Sequence, residues 1–178
     1  LLTEPPLALD TDFCSNLAWV DRLDILERLY GGNMIVLEEV EIELQRVPHL
    51  GRRLQMCIMK ESVKRAYLRV GSPEALEYAR MIDSGRYGRG EAACMAYLKY
   101  NPGTLGSNNL RDVRQFCIDN NKCLITTADC LYEAMQQQIL SKDQIEKLWA
   151  DMAKKRKLPA RSFSEFVSKL ERGSQTSE

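Results

Sequence analysis

Ten acidic side chains fall between residues 1 and 43, against two basic ones, and several stand where an apolar run ends. Asp10 and Asp12 follow Leu7-Ala8-Leu9, and Glu38, Glu39, Glu41 and Glu43 follow Met34-Ile35-Val36-Leu37. Glu91 lies further on in Gly90-Glu91-Ala92-Ala93, Asn108 and Asn109 follow the stretch 104–107, and Asp112 comes one helical turn later. Asp129 follows the stretch 123–126. Carboxylates gathered at one place repel, and one or more normally takes up a proton. A divalent cation relieves that repulsion, and magnesium or manganese prefers such hard oxygen ligands. A cation held this way can activate water and stabilise charge on a phosphoryl group in transfer. Each acid also has a plainer role open to it. Asp10 or Asp12 could cap the helix that follows, glutamates near helix starts gain from the dipole, and Asp129 in Thr-Ala-Asp reads equally as a cap.

For these acids to meet, the chain must place them at one end of a sheet. Residues 7–9 and 34–37 read as short buried strands, and 104–107 and 123–126 as two more. Between the first two, Phe13, Leu17, Val20, Leu23, Leu26 and Tyr30 recur at helical spacing up to Gly31-Gly32, which predicts one helix ended by glycine. Helices are further predicted over 38–46, 60–70, 72–82, 91–100, 110–120, 129–140, 142–157 and 162–170, with Ser72-Pro73 as a cap and first turn. Residues 48–84 show no strand pattern. Alternating strands and helices predict an α/β fold, a three-layer α/β/α sandwich with a short, mostly parallel sheet and a helical insert over about 45–85. In such sheets ligands bind beyond the carboxyl ends of the strands. One domain over 1–172 is expected, with 173–178 as a disordered tail.

The composition excludes several classes. Of six cysteines no two form a CxxC pair, and His49 is the one histidine, so zinc ligation and Cys–His catalysis are poorly supplied. Scattered cysteines in apolar stretches read as small buried hydrophobes of a reducing compartment. No membrane-length apolar run and no signal-peptide pattern is present, so the expected location is the cytoplasm, away from membranes. Net charge is zero, yet 44–72 carries seven basic residues and the single acid Glu61, and Lys154-Lys155-Arg156-Lys157 adds another basic cluster. An acidic segment beside a basic one fits a metal pocket flanked by a surface for a polyanion; solvated helix faces give the same asymmetry.

Four blocks in order resemble the PIN-domain family. They are Leu-Ala-Leu-Asp10-Thr-Asp-Phe with the helix through Arg22-Leu23-Asp24-Ile25-Leu26, and Met34-Ile-Val-Leu-Glu-Glu-Val-Glu-Ile-Glu43-Leu44. Gly90-Glu91-Ala92-Ala93 is similar to the Gly-Glu-x-x-Ala element of one branch, and Thr104-Leu-Gly-Ser-Asn-Asn-Leu-Arg-Asp112-Val to the late strand and turn. The resemblance covers about 7–140. It implies a magnesium- or manganese-dependent ribonuclease, as in the toxins of toxin–antitoxin pairs, with Asp10, Glu43 and Glu91 as the core catalytic and metal-binding acids. Asp12, Asn109, Asp112 and Asp129 are helpers, and Glu39 or Glu41 replaces Glu43 if the helix is rotated. It further implies RNA and an antitoxin or other protein as partners, and allows a homodimer. Asn108-Asn109 depart from the pattern, since the branch often has acids after the late strand.

Arg52, Arg53, Lys60, Lys64, Arg86 and Arg89 are the candidate contacts to phosphates of a single strand. Trp19 and Trp149 are either core residues or base-stacking platforms. Two rival readings stand beside the nuclease. One is a PIN-like domain with weakened catalysis that serves as an RNA- or protein-binding module. The other is an unrelated doubly wound domain with Asp10 as nucleophile, for which no suitably placed lysine follows a later strand.

Overall fold

The computed structural model describes residues 4–155 and 158–175. The element order is β1 (Leu7–Leu9), α1 (Thr11–Trp19), α2 (Asp24–Tyr30), β2 (Met34–Leu37), α3 (Glu38–Gln45), α4 (Pro48–Met59) and β3 (Val63–Ala66). It continues with α5 (Pro73–Asp83), α6 (Arg89–Tyr100), β4 (Thr104–Gly106), α7 (Leu110–Asp119), β5 (Cys123–Ile125), α8 (Thr127–Gln136), α9 (Lys142–Ala153) and α10 (Phe163–Gln175). The strands form one wholly parallel sheet in the order β3-β2-β1-β4-β5. The fold is therefore the expected α/β sandwich. β1, β2 and β4 are buried along their whole length, as a sheet covered on both faces requires.

Register brings the strand ends level. Leu9 pairs with Gly106, Gly106 with Ile125, and Leu37 with Ala66. The chain crosses from β1 outward to β2 and β3, then returns to lay β4 on the other side of β1, so the order reverses between β1 and β4. A crevice opens at such a reversal beyond the carboxyl ends. α6 packs on β1, β2 and β4, with α5 and α7 beside it, while α1 packs against α3, α4, α8 and α9. α3 touches both α6 and α1, which closes one side of the crevice.

Three expectations need correction. The first helix is two. α1 ends where Asp21 takes a positive φ of 58°, with the Arg22 amide donating to the Leu17 carbonyl and the Asp21 amide to that of Ala18. This is a Schellman closure built without glycine. The same closure, around Glu61, stops α4 and replaces the predicted 60–70 helix by the edge strand β3. The insert thus supplies a fifth strand. Finally, α10 runs through Gln175, so 173–175 are helical; 156–157 and 176–178, covering parts of the predicted last basic cluster and tail, lie outside the described residues.

The C-terminal helices dock firmly. Trp149 is 1 % exposed, its indole N–H donates to the Ala160 carbonyl, and its ring lies 5.6 Å from that of Phe163. Glu146 accepts the Phe163 and Ser164 amides and so caps the start of α10. Cys14, Cys57, Cys94, Cys117 and Cys130 are buried free thiols, as expected, and Cys123 is exposed. Burial pushes the Cys14 and Cys130 thiols up to about 12, which leaves them inert as nucleophiles. Among the described residues no helix is long and apolar enough to cross a membrane.

Candidate metal centre

The crevice at the β1/β4 reversal is a cleft of about 570 Å3 whose wall includes Asp10, Asp12, Glu43, Glu91, Asn108 and Asn109. Asp10 is placed by β1 and is the N-cap of α1, so it caps and faces the cleft at once. Its Oδ1 accepts the Thr11 amide at 2.6 Å, and its Oδ2 accepts the Ser107 hydroxyl at 2.9 Å. Ser107 is the first residue after β4, so this bond ties the two strands that border the crevice. Asp10 is 4 % exposed. Burial, with the nearby Asp12 charge adding to it, holds its carboxyl well above the usual range, although the Ser107 and Thr11 donors pull the other way.

Glu91 is the third residue of α6 and is 7 % exposed. Burial, followed by the Asp112 charge, pushes its carboxyl up to about 7. Asn109 Nδ2 donates to Glu91 Oε1 at 2.8 Å and to Asp112 Oδ2 at 2.8 Å. Asn109 therefore bridges two acids with its amide where the resemblance would have placed a third. Asn108 is occupied differently. Its Nδ2 donates to Thr127 Oγ1, its Oδ1 accepts the Thr127 amide, and its own backbone amide donates to Asp12 Oδ1 at 3.2 Å.

Glu43 is the acid of its helix that reaches the cleft. Its Oε2 accepts the Thr11 hydroxyl at 2.6 Å and its Oε1 accepts the Gly90 amide at 3.1 Å, which joins α3, α1 and α6. Gly90 leaves no room for a side chain without movement, since a Cβ there would stand 2.5 Å from Thr11 Oγ1 and 3.0 Å from Glu43 Oε2. Glu41 faces away, in a bidentate pair with Arg65 at 2.8 Å that holds its carboxyl below the usual range. Glu39 is absent from the cleft wall, and its Oε2 is buried with no hydrogen-bond partner among the described residues. The rotation that would exchange Glu43 for either is not the one the chain adopts. Asp129 is a correction as well. It completes a capping box with Thr126, accepting the Thr126 amide and hydroxyl, and lies outside the cleft.

The candidate phosphate contacts divide. Arg53 is spent on the fold: it pairs with Asp21 and donates to the Ala18 carbonyl, a cation at the C-terminus of α1. Lys60 pairs with Glu27 at 3.7 Å. Lys64 lies exposed on edge strand β3, and Arg52 is exposed on α4 with a bond to the Pro48 carbonyl. Arg89, next to Gly88 of the cleft wall, donates to the Tyr78 hydroxyl at 3.4 Å and also feels the Glu39 and Glu43 charges, whereas Arg86 lies over the Tyr87 ring at 5.0 Å. Trp149 is core, and Trp19 is half-buried with its ring edge-to-face on His49 at 4.5 Å.

The sequence reading overlooked Thr11, Ser107 and Asn16 of the cleft and the Gly90 amide. Ser107 carried a signal, because the first residue after a strand bordering the crevice belongs to the ligand-facing rim. Among the described residues, no ion pair neutralises Asp10, Asp12, Glu43, Glu91 or Asp112. Nor are any three His, Cys, Asp or Glu side chains already grouped as a metal-ligand set. The donor chemistry fits a hard divalent cation, with oxygen ligands and unbalanced negative charge, but the acids are held by hydroxyl and amide donors rather than turned on a common point. A scan against models of known protein families and a search of curated proteins both find no match for this chain.

Proposed function

We propose that the protein is a divalent-metal-dependent endoribonuclease that hydrolyses phosphodiesters of single-stranded RNA, with Asp10, Glu43 and Glu91 as its central acids. The observation that carries the reading is the meeting of Asp10 and Glu91, 81 positions apart in the chain, in one cleft where both carboxyls are pushed up. Acids whose ionised form is disfavoured by burial are costly to bring together, and perturbed carboxyls cluster at functional sites. A bound magnesium or manganese ion supplies a Lewis acid and an activated water at neutral pH.

The chain's own groups do the positioning. Ser107 and Thr11 orient Asp10, Thr11 and Gly90 fix Glu43, and Asn109 fixes Glu91 against Asp112. Arg86 and Arg89 bind the phosphates beside the cleft. In the hydrolysis, water oxygen bonds to phosphorus, the ester bond to the leaving oxygen breaks, and that oxygen takes the proton. A single strand suits a recessed cleft, because its phosphodiester can be drawn in without opening a duplex.

A second reading is favoured by the two asparagines. With Asn108 engaged by Thr127 and Asn109 bridging two acids, the site carries less charge than the resemblance implies, which suits an RNA- or protein-binding module without turnover. Hydrolysis of an end-labelled single-stranded RNA in magnesium or manganese separates the two. The nuclease reading expects metal-dependent products from the natural sequence and none from Asp10→Asn or Glu91→Gln. No products from the natural sequence would leave the binding module, and products surviving both substitutions would refute the site.

A further inference from the structure

Beside the acidic cleft lies a larger cavity of about 810 Å3, formed by α7, the β5–α8 turn, α9 and the segment leading into α10. Its size is that of a small-molecule site. Asn16 and Asn108 belong to the walls of both spaces, so the cavity opens directly next to the carboxylates. Leu110, Leu124, Met152 and Phe166 give it an apolar lining, while Asn121 and Thr126 add polar groups. Two cations and one acid line it, Arg114, Lys122 and Asp129, the last engaged in its capping box with Thr126. Arg114 is exposed and has no ion pair among the described residues, whereas the Lys122 ammonium donates to the Asn101 carbonyl at 2.9 Å.

We propose that this cavity receives one unstacked nucleobase of the RNA strand whose phosphodiester lies in the carboxylate cleft; the inference rests on the ribonuclease reading. A base has an apolar face and hydrogen-bonding edges, and its phosphate carries a negative charge; the cavity offers apolar walls, amides and a free guanidinium for these three features. Continuity through Asn16 and Asn108 lets one strand occupy both spaces. The same walls could take apolar side chains of a protein segment, but that occupant would not require the shared border with the acids. The pocket would also explain a preference for single strands, since a paired base must leave its stack to enter.

The test uses short fluorescent single-stranded oligoribonucleotides, each with one abasic position, binding the full chain in calcium without magnesium or manganese. One abasic position is expected to weaken binding about tenfold while the others change it little. Leu124→Trp, which fills the cavity, should lower the intact strand to the level of that abasic one, and Arg114→Ala should weaken the intact strand severalfold. A flat abasic scan overturns the inference, as does an intact strand that binds folded Leu124→Trp unchanged. If Leu124→Trp does not fold, the scan on the natural protein decides alone. Quenching of Trp149 fluorescence, in a Trp19→Phe background, by an amphipathic peptide together with a flat scan would assign the cavity to a protein segment. A position-selective scan without cleavage in magnesium would leave the pocket standing and remove the nuclease reading. Cleavage with a flat scan would remove the pocket alone, and no binding of the intact strand would remove both.

Discussion

Glu91 sits at about 7 in the folded chain against 4.5 for a free glutamate, because burial and then the Asp112 charge disfavour its ionised form. Between those values the native state binds more protons than the unfolded state, so stability falls as pH rises through the window. Urea midpoints without metal should therefore decrease from pH 4.5 towards 7, and Glu91→Gln should flatten that slope. A divalent cation competes with the proton, so its stabilising effect should grow over the same range. Asn109 gives a second test. Asn109→Asp removes the donor that serves Glu91 and Asp112 and adds a charge beside them. The melting temperature in chelator is expected to fall, and the rise on adding magnesium to exceed that of the natural sequence.

At the scale of elements, the cleft depends on how closely α6 approaches α3 and α1. Gly90→Ala would place a methyl 2.5 Å from Thr11 Oγ1 and 3.0 Å from Val40 Cγ2, so the start of α6 or the Thr11, Glu43 and Val40 side chains must shift. Overpacking of this kind costs roughly 1–3 kcal/mol, to be read as a lower urea midpoint, and Glu43 and Glu91 should separate enough to weaken metal binding. The same scale explains what the sequence disclosed. β1, β2 and β4 were legible because strands covered on both faces are unbroken apolar runs. β3 was not, because Val63-Lys64-Arg65-Ala66 lies at the sheet edge with two exposed cations and reads as helix until its pairing with β2 is known. The break between α1 and α2 was hidden because the apolar spacing from Phe13 to Tyr30 continues across a Schellman turn closed by Asp21 rather than glycine. In the site, Asp10, Glu43 and Glu91 were legible from strand ends and motif, whereas the capping of Asp129 and the pairing of Glu41 with Arg65 depend on rotamers and distant partners.

Across the whole molecule, part of the basic segment is spent on ion pairs within the fold. Arg53 and Lys60 of the insert are tied to acids of α2 and the α1–α2 turn, and Arg65 to α3, so these cations bind the insert to the body. RNA affinity should accordingly depend more on Arg86 and Arg89 than on Arg53. Filter binding of a single-stranded RNA is expected to drop severalfold for Arg86→Ala/Arg89→Ala, whereas Arg53→Ala lowers thermal stability. The central claim is that the crevice at the β1/β4 reversal holds a divalent cation through Asp10 and Glu91. Titration calorimetry of the full chain with manganese at pH 8 tests it most directly. Saturable binding by the natural sequence, lost in folded Asp10→Asn and Glu91→Gln, is the predicted result; no binding by the natural sequence, or binding that survives both substitutions, would contradict it.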